Sequence, residues 1–223
     1  MYKPFGKADI DEFRGLLTNN DGWKEIRNKK GVQLFTQQVE KGMKFKFNTT
    51  LFKDVEPLEY LDMQNDAEFL KSIDSSMVYH EVVAELDPCQ IVLHEVTKLP
   101  MFDPRDLVVQ VIKYRNRDDS EIIIMTKSIE TDIQPVKDSI RAILFVQGFR
   151  VVKTPDGTMF TMYVHSDMGG KLSGMNGDSI MKMMSKTMPK KMRENLDKYR
   201  KYDQKHKDRP KPWLEQKLDW MNE

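Results

Sequence analysis

The stretch Gln90–Ile129, QIVLHEVTKLPMFDPRDLVVQVIKYRNRDDSEIIIMTKSI, decides the fold. Gln90 to Leu99, Asp106 to Tyr114 and Glu121 to Ile129 are rich in Val, Ile, Leu and Thr. Between them lie Pro100–Pro104 and Asn116–Ser120. Runs of this length, bounded by turn residues, predict successive strands paired antiparallel. The series extends backward through Met77 to Leu86, across an Asp87-Pro88 turn. It extends forward through Arg141 to Lys153 and Thr158 to Ser166, joined by Thr154-Pro155-Asp156-Gly157. Ser128 to Asp138 is polar and holds Pro135, long for a hairpin connection and therefore expected as a functional loop or a crossing between sheet ends.

Further out, the period changes. Ile10, Phe13 and Leu17 share one face of a helix over 8–17, closed by Asn19-Asn20-Asp21-Gly22. Val32 to Val39 and Met43 to Leu51 form a hairpin in which Met43, Phe45 and Phe47 face one way, and Lys44, Lys46 and Asn48 the other. Two short helices follow, one after Asp54 and one over 66–74. The last major element is a helix from about 178 to 205, with Ile180, Met184, Met188, Met192, Leu196 and Tyr199 on one ridge. Strands in a run, with helices segregated to the ends, predict an α+β fold with an antiparallel sheet. A sheet of this length curls, one amphipathic helix fits its concave face, and incomplete filling leaves a cavity. One domain is expected over 1–205, with 206–223 as a charged tail ending in a short amphipathic segment.

Composition narrows the function classes. In 223 residues, 36 Lys and Arg stand against 35 Asp and Glu, and 39% of residues are hydrophobic, which excludes a disordered chain. One cysteine, Cys89, excludes a disulfide framework and fits a reducing compartment, so a cytoplasmic location is expected. The opening Met1-Tyr2-Lys3-Pro4-Phe5-Gly6 has no apolar signal core, and no run of eighteen apolar residues occurs. Sixteen methionines are present, nine of them between Met159 and Met192. From Met181 to Glu223 there are 13 Lys and Arg against 7 Asp and Glu, so this quarter is both basic and methionine-rich. Its lysines alternate with Glu194, Asp197 and Asp203 and lack interleaved aromatic rings, so nucleic acid is not an expected partner.

The search for catalytic motifs is negative. The chain has no Gly-x-Ser-x-Gly, no phosphate-cradling glycine loop and no His-Glu-x-x-His. His80, His94, His165 and His206 have no ligand-like spacing, and His94-Glu95 in a strand point to opposite faces. Neither a metal, a cofactor nor an enzymatic activity is expected. What remains is polar groups set among apolar strand residues: Glu95 near Leu93 and Thr97, and Gln147 alternating with Phe145 and Phe149. Such a group either faces solvent or meets a ligand.

An ordered set of segments resembles the START domain, the lipid-transfer module of steroidogenic acute regulatory protein-related proteins, in its phosphatidylcholine-transfer-like form. The set is His94-Glu95, Pro104-Arg105-Asp106-Leu107-Val108, Ile140-Arg141-Ala142, Met159 to Val164, Asp167-Met168-Gly169-Gly170-Lys171-Leu172 and a long helix containing Pro189. The resemblance runs from about Gly22 to Tyr202 and implies a helix-grip fold, a curved antiparallel sheet around the C-terminal helix with one lipid enclosed. It also implies that this helix and the loop from Thr131 to Asp138 form the lid.

Several positions depart from the family pattern. Glu95 occupies the cavity acid position, but its arginine partner is replaced by Val111. Leu70 and Ile73 stand where phosphatidylcholine-transfer members carry an arginine and a tryptophan, while the glutamine contacting the headgroup is retained as Gln147. After Gly169-Gly170 the signature proline and tryptophan are replaced by Ser173 and Met175. Lys113, on the face of Val111, is an alternative partner for Glu95. The expected polar end of the site is therefore Glu95, Gln147 and Lys113. Its expected apolar wall and lid are Val111, Phe145, Phe149, Tyr163, Met184, Met188 and Met192. The implied function is binding and intermembrane transfer of one lipid, a phospholipid first and a sterol second, with transient peripheral contact at membranes. A lipid-gated adaptor and a helix-grip enzyme are the rival readings.

Overall fold

The computed structural model describes residues 2–50, 52–99, 101–173 and 177–222, with the side chains of 99 and 177–185 outside that description. Helix α1 (Lys7–Thr18) starts at Gly6, whose N–H donates to Asp9 Oδ2 at 2.8 Å, and buries Ile10, Phe13 and Leu17. Strands β1 (Lys24–Lys29), β2 (Val32–Gln37) and β3 (Met43–Thr49) form a meander. Helices α2 (Pro57–Asn65) and α3 (Ala67–Ile73) follow. Pro57 lies in the first turn of α2, where its missing N–H costs nothing, and the Asp66 carboxylate caps α3 by accepting from Phe69 N–H. Then come β4 (Met77–Asp87), β5 (Gln90–Leu99), β6 (Phe102–Arg115), β7 (Glu121–Ser128), β8 (Ile140–Arg141), β9 (Ile143–Thr154), β10 (Gly157–Asp167) and α4 (Gly177–Lys205).

The strands form one sheet in the order β1-β2-β3-β10-β9-β7-β6-β5-β4, every pair antiparallel, with the two-residue β8 added parallel to β6. Pro104 lies inside β6, although the Pro100–Pro104 stretch reads as a separator. Pairing slips between Thr97 and Leu99 opposite it, and at such an irregularity no ladder N–H is required of a proline.

Both faces of the central strands are covered, which is why β6 and β7 are buried almost residue by residue. The inner face (Leu93, Leu107, Val109, Val111, Ile122, Ile124, Phe160) forms one cluster with Leu196 and Tyr199 of α4 and with Tyr60, Leu61 and Phe69 of α2 and α3. The outer face (Ile112, Tyr114, Ile123, Met125, Val146) packs against Ile10, Phe13 and Leu17 of α1. Along its described length α4 lies on β1, β2 and β3 and against α2 and α3. Arg193 and Arg200 bind Asp54, and Arg200 also binds Glu59 of α2.

Beyond α4 the chain folds back. Arg209 pairs with Asp66 at 2.6 Å and Lys211 with Asp62 at 2.6 Å, and Trp213 Nε1–H donates to Asp62 Oδ1 at 2.9 Å. Trp220 stacks on Tyr114, and Met221 is buried in the α1 layer. The charged tail read from the sequence thus straps α2 and α3 to the outer layer over 206–222.

Candidate functional site

The inner face between α4, α2 and the strands β4–β10 carries the candidate site. Cross-strand pairing places Ile91, Val111, Thr126, Gln147 and Val164 in one row across five strands. A second row, nearer the end covered by α2, holds Lys113, Ile124, Phe149, Met162 and Phe47. Tyr60 of α2 meets Phe149 edge-on at 5.0 Å, and Phe149 stacks on Phe160 at 5.5 Å. Aromatic side chains therefore close this end of the face.

Toward β5 and β6 the packing is looser. Leu93, Leu107, Val111 and Ile124 keep 9%, 8%, 8% and 8% of their surface accessible. Their outward neighbours Val92, Val108, Ile112 and Ile123 keep 0%, 2%, 0% and 0%. The inner face over β5, β6 and β7 is therefore packed less tightly at these positions than the outer face behind it. Val109, between them, is closed at 1%, so the looser packing is confined to particular side chains.

Glu95 pairs across strands with Leu107 on one side and His80 on the other, and its carboxylate is 3.9 Å from His80 Nδ1. Burial pushes the Glu95 carboxyl above its ordinary value. It pushes His80 down, as do, to a lesser degree, Lys71 and Lys113. Lys113 donates to Asn65 Oδ1 at the end of α2, and burial lowers its pKa. The proposed Glu95–Lys113 pair does not form. Lys113 is six residues along β6 from Leu107, about 20 Å at the usual strand rise. Gln147 is half-buried, and its amide makes no hydrogen bond among the described residues. Gln147 and Glu95 do not converge either. Glu95 is four residues along β5 from Ile91, about 13 Å, and Gln147 is three strands across from Ile91, about 14 Å.

Phe149, Val111, Met188 and Met192 belong to or pack on the inner cluster. The side chain of Met184 lies outside the described residues. Two expected wall residues are corrected. Tyr163 belongs to the outer layer, with its ring edge-on to Phe13 at 6.2 Å and to Trp23 at 5.9 Å, because alternation along β10 sends Phe160, Met162 and Val164 inward. Phe145 is the unpaired residue of a bulge, since His165 pairs with Val146 and Ser166 with Leu144. The bulge turns its ring outward onto His165, at 4.4 Å, and toward Lys41.

Sequence reasoning missed Asn65 and His80, which lie in other elements and meet Lys113 and Glu95 only through tertiary packing. It also left Asp106 without a role. This fully buried carboxylate accepts from Val136 N–H at 2.9 Å, sits 2.7 Å from His94 Nε2 and 2.6 Å from Arg141 Nε, and so ties the 129–139 loop to the outer side of β6. Leu70 and Ile73 pack on the inner cluster, so the positions where the resemblance sets arginine and tryptophan are filled by hydrocarbon.

A long antiparallel sheet gripping a C-terminal helix, with polar groups spaced along an apolar inner face, defines the helix-grip fold of START lipid-transfer domains. Human STARD10, in its crystal structure, superposes with a TM-score of 0.80 at 24% identity, covering 96% of this chain and 88% of that one. Human StAR-related lipid transfer protein 5 superposes with a TM-score of 0.67 at 18% identity, covering 86% and 92%. START domain-containing protein 10 of Mus musculus is 26% identical over 217 residues, 92% of this chain and 72% of that protein, and the Homo sapiens protein is 25% identical over the same span. No family model matches the chain. The chain is a homologue of START domain-containing protein 10.

Proposed function

We propose that the chain binds one lipid between the inner face of its sheet and α4 and transfers it between membranes, without catalysing a reaction. The observation that carries this reading is the partial accessibility of Leu93, Leu107, Val111 and Ile124 on the face of the sheet that packs toward α2 and α4. The relatives support it, since lipid transfer is what the name of StAR-related lipid transfer protein 5 states. A phospholipid is the first ligand. The uncommitted Gln147 amide and the Glu95 carboxyl, at separate positions along the sheet, supply separate polar contacts along a large amphiphile. A sterol is the second reading, favoured by Val111 and Leu70 where arginines would otherwise sit.

The lid in this reading is α4 with the 131–138 loop. Met188 and Met192 present flexible, polarisable side chains that repack around different acyl tails. Exposed Lys186, Lys190 and Lys191 draw α4 to anionic membrane surface, at about 1 kcal/mol per well-placed basic residue, and the site of action is the cytoplasmic face of membranes. No described helix is long and apolar enough to span a bilayer.

The test is native mass spectrometry of the purified chain followed by lipid extraction, then liposome transfer with Met188→Asp. A co-purified phospholipid and a transfer rate at least tenfold lower in the variant are expected. Wild-type transfer by Met188→Asp, or a chain that neither carries nor moves lipid, refutes the reading.

A further inference from the structure

Lys113 is an ammonium set in an apolar wall without a counter-ion. It lies in the row of Ile124, Phe149 and Met162, on the inner face and beneath the end of α2. Its one partner among the described residues is Asn65 Oδ1. Asn65 is itself fixed: its Nδ2–H donates to Leu61 O at 2.8 Å, which holds the amide oxygen toward the lysine. The acids of the same region are already committed. Asp62 is bound by Lys211 and Trp213, and Asp66 by Arg209 and the α3 cap. Glu95 lies beside His80, at 3.9 Å, and forms no ion pair with Lys113 among the described residues. An ammonium has three donors, and two of those on Lys113 find no acceptor in the described chain.

A largely desolvated, uncompensated charge is unfavourable, and the bond to Asn65 holds this partly buried ammonium toward the end of α2. What compensates it is an anion delivered into the wall. We infer that Lys113, oriented by Asn65, takes the oxyanion of the bound lipid, a phosphate or carboxylate oxygen, and so selects acidic-group lipids over uncharged ones of the same chain length. This rests on the lipid-carrier reading and assigns its ligand class. The burial that lowers the Lys113 pKa is relieved when the anion arrives. A charge-assisted hydrogen bond of this kind changes relative affinity by about tenfold to a hundredfold.

The experiment measures uptake from neutral vesicles of NBD-phosphatidylcholine, NBD-dodecanoic acid and NBD-diacylglycerol by the full chain, by Lys113→Met and by Lys113→Arg. The wild type is expected to prefer at least one charged probe to diacylglycerol by tenfold or more. A preference confined to the phosphodiester assigns a phospholipid, and one confined to the fatty acid assigns a free acid. Lys113→Met should take up diacylglycerol as the wild type does and lose the preference, and Lys113→Arg should keep it. If Lys113 serves only to cap α2, Lys113→Met lowers Tm and leaves the preference intact, which overturns the inference. Equal uptake of charged and uncharged probes by the wild type overturns it and spares the carrier reading. Uptake of none of the three overturns both. Should Lys113→Met fail to fold, Lys113→Gln gives the same comparison.

Discussion

Asp106→Asn should release the 129–139 loop and destabilise the whole chain. The carboxylate is fully buried, with the Val136 amide, His94 and Arg141 as its partners. An asparagine of the same shape offers one acceptor and places an NH2 against the other donors. Hydrogen bonds to a charged group contribute about 1.5–3 kcal/mol each, and the Arg141 contribution is discounted because that side chain is partly exposed. A loss of about 3 kcal/mol follows, which for a chain of this length lowers Tm by about 6–12 °C. Thermal and urea unfolding measure the loss, and amide exchange at Val136 reports the loop locally.

The pH dependence fixes the mechanism. Against the desolvation that pushes it up, the bonds from Val136, His94 and Arg141 hold Asp106 below the ordinary aspartate range. The stability it adds is complete above the unfolded aspartate value of about 4 and is withdrawn as pH falls toward the depressed native value. The difference between wild type and variant should therefore shrink as the solution is acidified below pH 4. A loss under about 1 kcal/mol at pH 7, or unchanged exchange at Val136, would refute the reasoning.

Other perturbations test neighbouring claims. Glu95→Gln removes a carboxyl whose pKa burial raises, so native stability no longer falls as pH rises through that group's range. The variant should have a higher Tm than the unliganded wild type at pH 7 and an equal one below pH 4, and equal values throughout would remove Glu95 from the buried wall. Gly148→Ala would set a Cβ 2.3 Å from Ile124 O and 2.8 Å from Phe13 Cζ, so a loss of about 1–3 kcal/mol in urea titrations is expected as α1 is pushed from the sheet. Met221→Ala empties a buried position beside Ile10 and should cost about 2–4 kcal/mol by the same assay, whereas a neutral result would mean that the C-terminal strap does not close the outer layer.

Much of the fold was legible because hydrophobic period is a local property. The runs at 90–99, 121–129 and 158–166 became β5, β7 and β10, and the 178–205 ridge became α4, since a strand or a helix declares its own repeat. The candidate site was legible only in part. Val111 and Phe149 reached the inner wall by simple alternation, whereas Phe145 left it through one extra residue opposite His165 and Ser166. A bulge has no periodic signature, and it reverses the facing of the side chain it displaces.

Charged residues were the least readable. Lys46 alternates like a solvent-facing lysine, yet α1 covers it. Its ammonium donates to Leu17 O at 3.2 Å, Asn19 O at 2.8 Å and Asn20 Oδ1 at 2.7 Å, closing the C-terminal end of that helix.

By itself, the sequence determined an antiparallel sheet followed by one long amphipathic helix, and it placed Glu95, Lys113 and Gln147 on strands. The tertiary structure decided that these three stand apart along the inner wall, that Asn65 and not Glu95 holds Lys113, and that α1 and the C-terminal strap cover the outer face. The reason is physical. Alternation is encoded residue by residue, but register between distant strands, bulges and the layer that covers each face arise only when the whole chain packs.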